Sequence, residues 1–123
     1  MKKKPDIHWL RKPEAHNYPA AKSYLSLLFE EPVAKRFVRK LERAPRSEFK
    51  SRDIFRASGL PLPGLSNAKV QRDRKKILAG AKLSPILLVR ARDNSKVIVA
   101  DGYHRLCAVY EFDEDAVIPC KIV

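Results

Sequence analysis

The side chains best suited to chemistry lie together near the carboxyl end, in the run Asp101-Gly102-Tyr103-His104-Arg105. A β-branched apolar segment precedes this run and a helical pattern follows it, which predicts a strand, a sharp turn and the first turn of a helix. The start of a helix offers unpaired backbone N–H groups and the positive end of the helix dipole, and both favour an anion. The run therefore predicts a phosphate-binding turn.

Two of these side chains are suited to bind a phosphate directly. Arg105 can donate a forked pair of hydrogen bonds to phosphate oxygens, and His104 can donate to another oxygen or transfer a proton. The alternatives are an ion pair of Arg105 with Asp101 or Glu111, and a His104 that is satisfied locally. Gly102 permits both the sharp turn and the close approach of a ligand.

Asp101 and Tyr103 also have two interpretations each. Asp101 can bind Mg²⁺ beside the phosphates or accept a proton from an acceptor hydroxyl, although an Asp at this position more often caps the helix. Tyr103 either stacks on a base or sugar or covers the core. We predict Asp101 and His104 as catalytic residues, Asp101 as the metal ligand, and the phosphate-binding group Gly102, Tyr103, His104 and Arg105.

The elements that position the turn predict an α+β fold, with a helical N-terminal half packed on a small mixed β-sheet. Periodicity and turn residues predict a strand over 85–89, a turn over 92–95 and a second strand over 96–100 that forms a hairpin with the first. A helix from Tyr103 to Phe112 and a final strand over 117–123 follow. Pro119 predicts that the final strand is an edge strand or contains a bulge.

The N-terminal half contains helical patterns and one irregular arm. Residues 5–18 form the arm, which we expect Trp9 and Leu10 to fix to the body of the protein. The predicted helix starts are Pro19, Pro32, Ser51 as an N-cap, and Asn67. The corresponding predicted ends are Glu30, Pro45, Gly59 and Gly80.

Three segments of the C-terminal half follow one another in a recognisable order. Residues 83–89 read as an apolar strand, residues 99–108 read Val-Ala-Asp-Gly-Tyr-His-Arg-Leu-Cys-Ala, and residues 117–120 read Val-Ile-Pro-Cys. This order resembles the ParB/sulfiredoxin-like superfamily, in which a strand leads into a Gly-x-[His/Arg]-Arg turn, a helix and a return strand. Gly102, His104 and Arg105 match the sulfiredoxin turn, and Gly102 and Arg105 match the ParB turn.

The resemblance implies a nucleotide ligand, ATP or CTP, together with Mg²⁺. Residues 65–71 are similar to the segment that lines the nucleotide site in sulfiredoxin, which implies that Lys69, and less directly Arg72 and Lys76, face the phosphates. The resemblance covers residues 62–123 of a single domain, residues 1–60 form a helical extension, and the whole is similar to small stand-alone bacterial ParB-like proteins. Relatives on this fold include hydrolases and kinases, so nucleoside triphosphate hydrolysis or phosphoryl transfer is an open expectation.

The sequence also departs from these relatives. Tyr103 stands where sulfiredoxin has its reactive cysteine, and a phenol cannot replace a thiolate, so we do not expect sulfinic acid repair. ParB partition proteins continue into a helix-turn-helix domain and a dimerisation segment, which do not follow the final strand here, so we do not expect a partition role unless residues 1–60 substitute for them.

Charge leaves a second function open. The net charge is +12, and from Lys82 onward six basic residues balance six acidic ones, so the excess lies in the N-terminal part. The alternative function is therefore a basic nucleic-acid-binding accessory protein without catalytic activity, and a third is a domain that serves only as an interaction partner. Cys107 and Cys120 fit buried small hydrophobes, no metal-ligand spacing occurs, and no apolar run spans a membrane, so we expect a cytoplasmic protein.

Overall fold

The computed structural model describes residues 4–61, 67–91, 93 and 95–123. These residues form five α-helices and six short β-strands, an α+β arrangement as predicted. The helices are α1 (Asn17–Leu28), α2 (Glu31–Arg43), α3 (Ser51–Ser58), α4 (Ala68–Leu78) and α5 (Tyr103–Phe112). The strands are β1 (His8–Trp9), β2 (Ser47–Lys50), β3 (Lys82–Leu83), β4 (Ile86–Arg90), β5 (Val97–Asp101) and β6 (Val117–Ile122).

The main sheet is mixed and has four strands in the order β2-β6-β4-β5. β4 and β5 form the predicted antiparallel hairpin, while β6 runs parallel to β4 and antiparallel to β2. The register shifts between Leu87 and Leu88, where Leu87 lies opposite Asp101 and Leu88 opposite Val99. This irregularity lies beside the end of β5, and a change of register there alters the direction of the side chains that follow.

Helices cover both faces of this sheet. In β4, Ile86 and Leu88 belong to one hydrophobic core and Leu87 and Val89 to the other, because successive side chains of a strand point to opposite faces. Burial on both faces explains why β4 reads as a continuous apolar run rather than an alternating one. The core under α1 and α2, here the α1–α2 core, contains Ala21, Leu25, Ala34, Val38, Leu41, Leu87, Val89, Ile98 and Ala100. The α3–α5 core on the other face includes Ile54, Phe55, Val70, Ile77, Ile86, Leu88, Val99, Leu106, Cys107 and Ile118.

α4 begins and ends at the predicted residues. The Asn67 side-chain oxygen accepts hydrogen bonds from the backbone N–H groups of Lys69 and Val70, at 3.0 and 3.2 Å. Such an N-cap satisfies donors that the first helical turn leaves unpaired. Gly80 follows the helix with φ +75°, a left-handed conformation that glycine adopts at little cost.

The predicted Ser51 cap of α3 is wrong. Ser51 is the first helical residue, Lys50 is the N-cap, and no side chain among the residues described caps this helix. The buried Ser51 hydroxyl instead donates toward the backbone oxygens of Asp113 and Glu114, at 3.1 and 2.6 Å. The reason is that β2 passes directly into α3, which places this hydroxyl against the turn after α5. The end of α3 at Gly59, with φ +64°, agrees with the prediction.

The arm is more ordered than predicted. Trp9 packs against the α3–α5 core, and β1 pairs in parallel with β3 in a separate two-stranded sheet. The backbone N–H of Leu10 donates to the Leu83 oxygen at 2.8 Å. α1 begins at Asn17 rather than at Pro19, and the Asn17 side chain is buried, where it accepts a hydrogen bond from the Ser84 hydroxyl. The arm is therefore fixed to the body, as expected for Trp9 and Leu10.

The final strand is not an edge strand, so this part of the prediction is wrong. β6 lies inside the sheet because Ser47–Lys50 forms β2 along its outer side, with Glu48 opposite Pro119. The pairing of β6 with β4 begins at Cys120, one residue after the proline. Pro119 therefore lies where that ladder has not yet started, and its missing N–H does not interrupt it.

Parts of three sequence predictions fall outside the described residues. They are residues 62–66 of the stretch that the family resemblance covers, the first two residues of the segment 65–71 that is similar to sulfiredoxin, and Arg92 and Asn94 of the predicted turn. Within that turn, Asp93 Oδ1 accepts hydrogen bonds from the Ser95 backbone N–H and hydroxyl, at 3.0 and 2.6 Å. Among the helices that the structure describes, none has the length and apolar character needed to cross a membrane.

The two-sided packing predicts different costs for two leucines of α1. Leu25 is fully buried in the α1–α2 core, whereas the Leu27 residue is 83% exposed. Leu25→Ala should lower the free energy of unfolding by about 2–5 kcal/mol, because it removes buried methyl groups and leaves a cavity. The matched control Leu27→Ala should change it by less than about 0.5 kcal/mol. Urea denaturation measures both, and equal effects would show that α1 does not pack on the sheet.

Candidate functional site

The predicted turn lies where β5 ends and α5 begins. Gly102 is the N-cap of α5 with φ +108° and ψ 17°, and its oxygen accepts the first helical hydrogen bond from the Leu106 N–H at 2.9 Å. No side chain among the residues described caps the helix, so the interpretation of Asp101 as a cap is wrong. The N–H groups before Leu106 have no carbonyl one turn earlier in α5, which leaves the helix end suited to an anion.

Asp101 and Arg105 form an ion pair across this turn. Arg105 Nη2 lies 2.9 Å from Asp101 Oδ2, and both side chains are only 16% exposed. The same Nη2 atom also donates to the Pro85 oxygen at 3.3 Å, which fixes the helix start to the residue before β4. The alternative interpretation of Arg105 as a partner of Asp101 is thus the one observed, while Glu111 pairs with Arg74 at 3.3 Å.

The guanidinium lies directly against Gly102. A Cβ atom placed on Gly102 would lie 2.9 Å from Arg105 Nη2 and 2.9 Å from Ile86 Cγ1. Glycine is therefore needed here for its missing side chain as well as for its positive φ. Arg105 Nε is buried and has no hydrogen-bond partner among the residues described. The Arg105 side chain therefore packs against the Gly102 turn, and its Nε atom has no hydrogen-bond partner among the described residues.

A polar cavity of about 230 Å³ opens beside the turn. One wall comes from α4 and the other from the start of α5, and α4 and α5 pack directly against each other. The cavity brings together all the residues that the sequence predicted for the site, together with Arg72 and Lys76. Its lining residues are Lys69, Arg72, Asp73, Lys76, Asp101, Gly102, Tyr103, His104 and Arg105.

An apolar cavity of about 360 Å³ lies on the other side of the same turn. Ala20 and Tyr24 of α1 form part of its wall, with Leu60, Val99 and Ala100. It shares Asp101, Gly102, Tyr103 and His104 with the polar cavity. The helical extension thus contributes to the candidate site, which the sequence patterns did not predict because α1 shows only its core-facing periodicity.

Asp73 also lines the polar cavity, although the sequence patterns did not predict it as a site residue. It is only 9% exposed, and burial raises the pKa of its carboxyl group, an effect that nearby Lys76, Arg105, His104 and Arg72 oppose. A sequence signal existed, since Asp73 falls between Val70 and Ile77 at helical spacing and so lies on the buried face of α4.

His104 lies between these two cavities in a partly buried position. Burial and the nearby Lys69 charge lower the pKa of its imidazole, and Asp73 partly offsets them. The direction of this shift makes His104 neutral at neutral pH, where one ring nitrogen donates and the other accepts a hydrogen bond. The side chain can therefore act as a donor to a phosphate oxygen without carrying a charge of its own.

Tyr103 and Cys107 occupy the helix start and the core beneath it. The Tyr103 hydroxyl donates to the Pro61 oxygen, its ring lies 5.3 Å from that of His104, and burial raises the pKa of Tyr103 to about 12. Cys107 is fully buried, and burial raises the pKa of its thiol to about 11. A thiol that stays protonated is a poor nucleophile, and the burial of Cys107 agrees with the prediction of a small hydrophobic core residue.

Gly102 gives a test of this geometry. Gly102→Ala should lower the free energy of unfolding by at least about 2–3 kcal/mol, because it combines an unfavourable φ with contacts too short for a methyl group. Gly59→Ala is the matched control, since Gly59 also has positive φ but no described atom lies within 4 Å of the position that its Cβ would take. Its cost should be about 1–2 kcal/mol, from the backbone alone. Equal costs in urea denaturation would contradict the close contact of Arg105 with Gly102.

Comparison of the chain with protein-family models, curated proteins and solved structures finds no match. The ParB/sulfiredoxin-like resemblance therefore stays a prediction, which depends on the turn and on the strands and helix around it. The chemistry of this site must be inferred from its own residues.

Proposed function

We propose that the protein binds a nucleotide at the end of β5, with the phosphates in the polar cavity and the base in the apolar cavity. The observation that carries this proposal is the pair of cavities with opposite character on the two sides of one turn. A nucleotide has the same two-part chemistry, since a flat and largely apolar base is linked through a sugar to a polyanionic chain. A phosphate ion alone has no apolar part that could occupy the apolar cavity.

The phosphate side of the site has charges from α4 and backbone donors from α5. Lys69, Arg72 and Lys76 line the polar cavity, and each can neutralise or hydrogen-bond a phosphate oxygen. The N-terminal amides of α5 and the positive end of its dipole add to the same attraction. Arg105 contributes through its position beneath Gly102, because Asp101 and the Pro85 oxygen already engage its Nη2.

The base side of the site includes the exposed aromatic ring of Tyr24. Tyr24 is 41% exposed at the wall of the apolar cavity, and a base can stack on such a ring. The cavity volume of about 360 Å³ falls within the usual range for small-molecule sites. Leu60 and Val99 complete an apolar surface next to this ring.

ATP or CTP with Mg²⁺ is the ligand that we propose. Magnesium is usually held by one or two carboxylates together with substrate phosphates, so a dedicated cluster of protein ligands is not required. Asp101 lines the polar cavity and would supply a carboxylate oxygen to such an ion. The resemblance of the turn to ParB and sulfiredoxin supports this assignment, and it extends the proposal to hydrolysis or transfer of the terminal phosphoryl group, with His104 as a donor to the phosphates.

Lysine variants of α4 test the phosphate side. Lys69→Ala and Lys76→Ala should each weaken ATP or CTP binding about tenfold, since each loses a charged hydrogen bond worth at least about 1.5 kcal/mol. Lys75→Ala is the matched control, because Lys75 is exposed on the same helix but does not line the cavity. Calorimetric titration in Mg²⁺ gives the dissociation constants, and thermal shift with ATP, CTP, GTP and ADP identifies the preferred ligand.

Two results would contradict the proposal. If no nucleotide raises the melting temperature, the site does not bind nucleotides. If Lys75→Ala weakens binding as much as Lys69→Ala, the attraction comes from the general positive charge rather than from this cavity. His104→Ala and Arg105→Ala extend the test to the turn, with the melting temperature of the free variants as the control for folding.

A second candidate function is nucleic-acid binding through α2. The observation in its favour is that α2 packs its apolar face on the sheet and exposes a row of basic side chains. Glu31 pairs with Lys22 and Lys35 at one end of this row, at 3.6 and 3.4 Å. The exposed basic residues of α2 are Lys35, Arg36, Arg39, Lys40 and Arg43.

Salt-titrated binding to random duplex DNA tests this second candidate. If α2 contacts the backbone, the double variant Arg36→Ala/Arg39→Ala should reduce the slope of log K against log salt by about 2, since each lost phosphate contact accounts for roughly one unit. The double variant Lys69→Ala/Lys76→Ala removes the same charge and should leave the slope unchanged. A slope that both double variants reduce equally would assign the binding to net charge alone.

A further inference from the structure

The polar cavity contains one side chain that anion binding does not explain. Asp73 is 9% exposed and lines the cavity, yet no ion pair or hydrogen bond engages its carboxyl group in the part of the chain described. The same cavity is lined from α4 by Lys69, Arg72 and Lys76, and from α5 by His104 and Arg105. The carboxyl group is therefore surrounded by basic groups but not neutralised by direct contact with any one of them.

The position of Asp73 is unfavourable for phosphate binding, and its carboxyl group does not stabilise the fold through a hydrogen bond with a described residue. Burial removes part of the hydration of this carboxylate, and no hydrogen bond from a described residue replaces it. Its negative charge would also repel a phosphate that enters the same cavity. A function that needs a carboxylate beside the phosphates explains its position, and the carboxylate at Asp101 already has a partner in Arg105.

We propose that Asp73 is the general base of a nucleoside triphosphate hydrolysis reaction in the polar cavity. This inference rests on the proposed nucleotide-binding function, and it assigns the base to Asp73 rather than to Asp101. A water molecule between Asp73 and the terminal phosphate attacks the phosphorus atom. The bond from the water oxygen to phosphorus forms, the bond from phosphorus to the bridging oxygen breaks, and the nucleoside diphosphate leaves with that electron pair. The water proton passes to the Asp73 carboxylate.

The surroundings of Asp73 suit this role. A base is more effective when its conjugate acid is weaker, and burial moves the pKa of Asp73 in that direction. Lys76, Arg105, His104 and Arg72 limit the shift, which favours the ionised form that the reaction needs. Of these groups, Lys76 and Arg72 are cationic and can neutralise the charge that develops on the phosphate oxygens.

The test compares turnover and binding in the same variants. Release of inorganic phosphate from ATP and CTP with Mg²⁺ is measured for wild type, Asp73→Asn and the control Asp53→Asn, an exposed carboxylate on α3 that lines neither the polar nor the apolar cavity. Asp73→Asn should lower turnover by about a hundredfold or more, the usual contribution of a general base. It should bind the triphosphate at least as tightly as wild type, because it removes a repulsive charge. Asp53→Asn should match wild type in both measurements.

The pH dependence separates a base from a residue with a merely structural role. Wild-type turnover should rise with pH as Asp73 ionises, and Asp73→Asn should lack this rise while it keeps any dependence that His104 causes. The melting temperature gives the folding control. Because the raised pKa makes the folded state bind the proton more tightly than the unfolded state, ionisation of Asp73 lowers stability as pH rises through this range. Asp73→Asn should therefore melt no lower than wild type at neutral pH.

The different failures are distinguishable. A wild-type protein that binds no nucleotide overturns both the proposed function and this inference. A wild-type protein that binds but releases no phosphate overturns the inference alone. Unchanged turnover in Asp73→Asn, or a loss of turnover in Asp101→Asn alone, would show that Asp73 is not the base.

Discussion

The candidate site depends on one contact, the ion pair between Arg105 and Asp101, in which the guanidinium lies against Gly102. One guanidinium nitrogen joins the last residue of β5 to the first turn of α5 and also reaches the backbone just before β4. The pair is largely buried, and a buried pair that loses one partner leaves an uncompensated charge, so both residues are needed together. Because Gly102 has no side chain, the Arg105 guanidinium can lie directly against its backbone, and this contact sets the direction of α5. Both cavities take their position from that direction.

Sequence patterns predicted the elements whose signals are local. The helix α5 has its predicted bounds because Asp101-Gly102 stops the strand, and β4 and β5 are apolar runs separated by turn residues. β2 was missed because Ser47–Lys50 is short and mostly exposed, so its backbone pairing with β6 has no hydrophobic signature. The error at Pro119 follows from the same omission, since β6 would be an edge strand if β2 were absent.

The sequence predicted the turn of the candidate site but not all of the residues that line its two cavities. The residues of the turn are neighbours in sequence, so their meeting needs no knowledge of the tertiary structure. Tyr24 and Asp73 reach the site only because α1 packs on the sheet and α4 packs on α5. The contact between α4 and α5 includes Arg74, which pairs with Glu111 and lies 4.3 Å from the centre of the Phe112 ring. Such pairings between distant segments have no signature in one sequence, although the spacing of Asp73 with Val70 and Ile77 indicated its burial.

The positive charge of the chain lies on two separate surfaces, the polar cavity proposed for a nucleotide and the basic row of α2 proposed for nucleic acid. α2 packs on one face of the sheet, and α4 and α5 pack on the other. No basic residue of α2 lines the polar cavity. The Debye length is about 8 Å at physiological ionic strength, so exposed charges that lie farther apart than this act only weakly on one another. An attraction for a phosphate beside Gly102 would therefore come mainly from Lys69, Arg72, Lys76 and the start of α5. Because Asp73 removes part of that local charge, it would affect a phosphate bound there more than the net charge of the protein would.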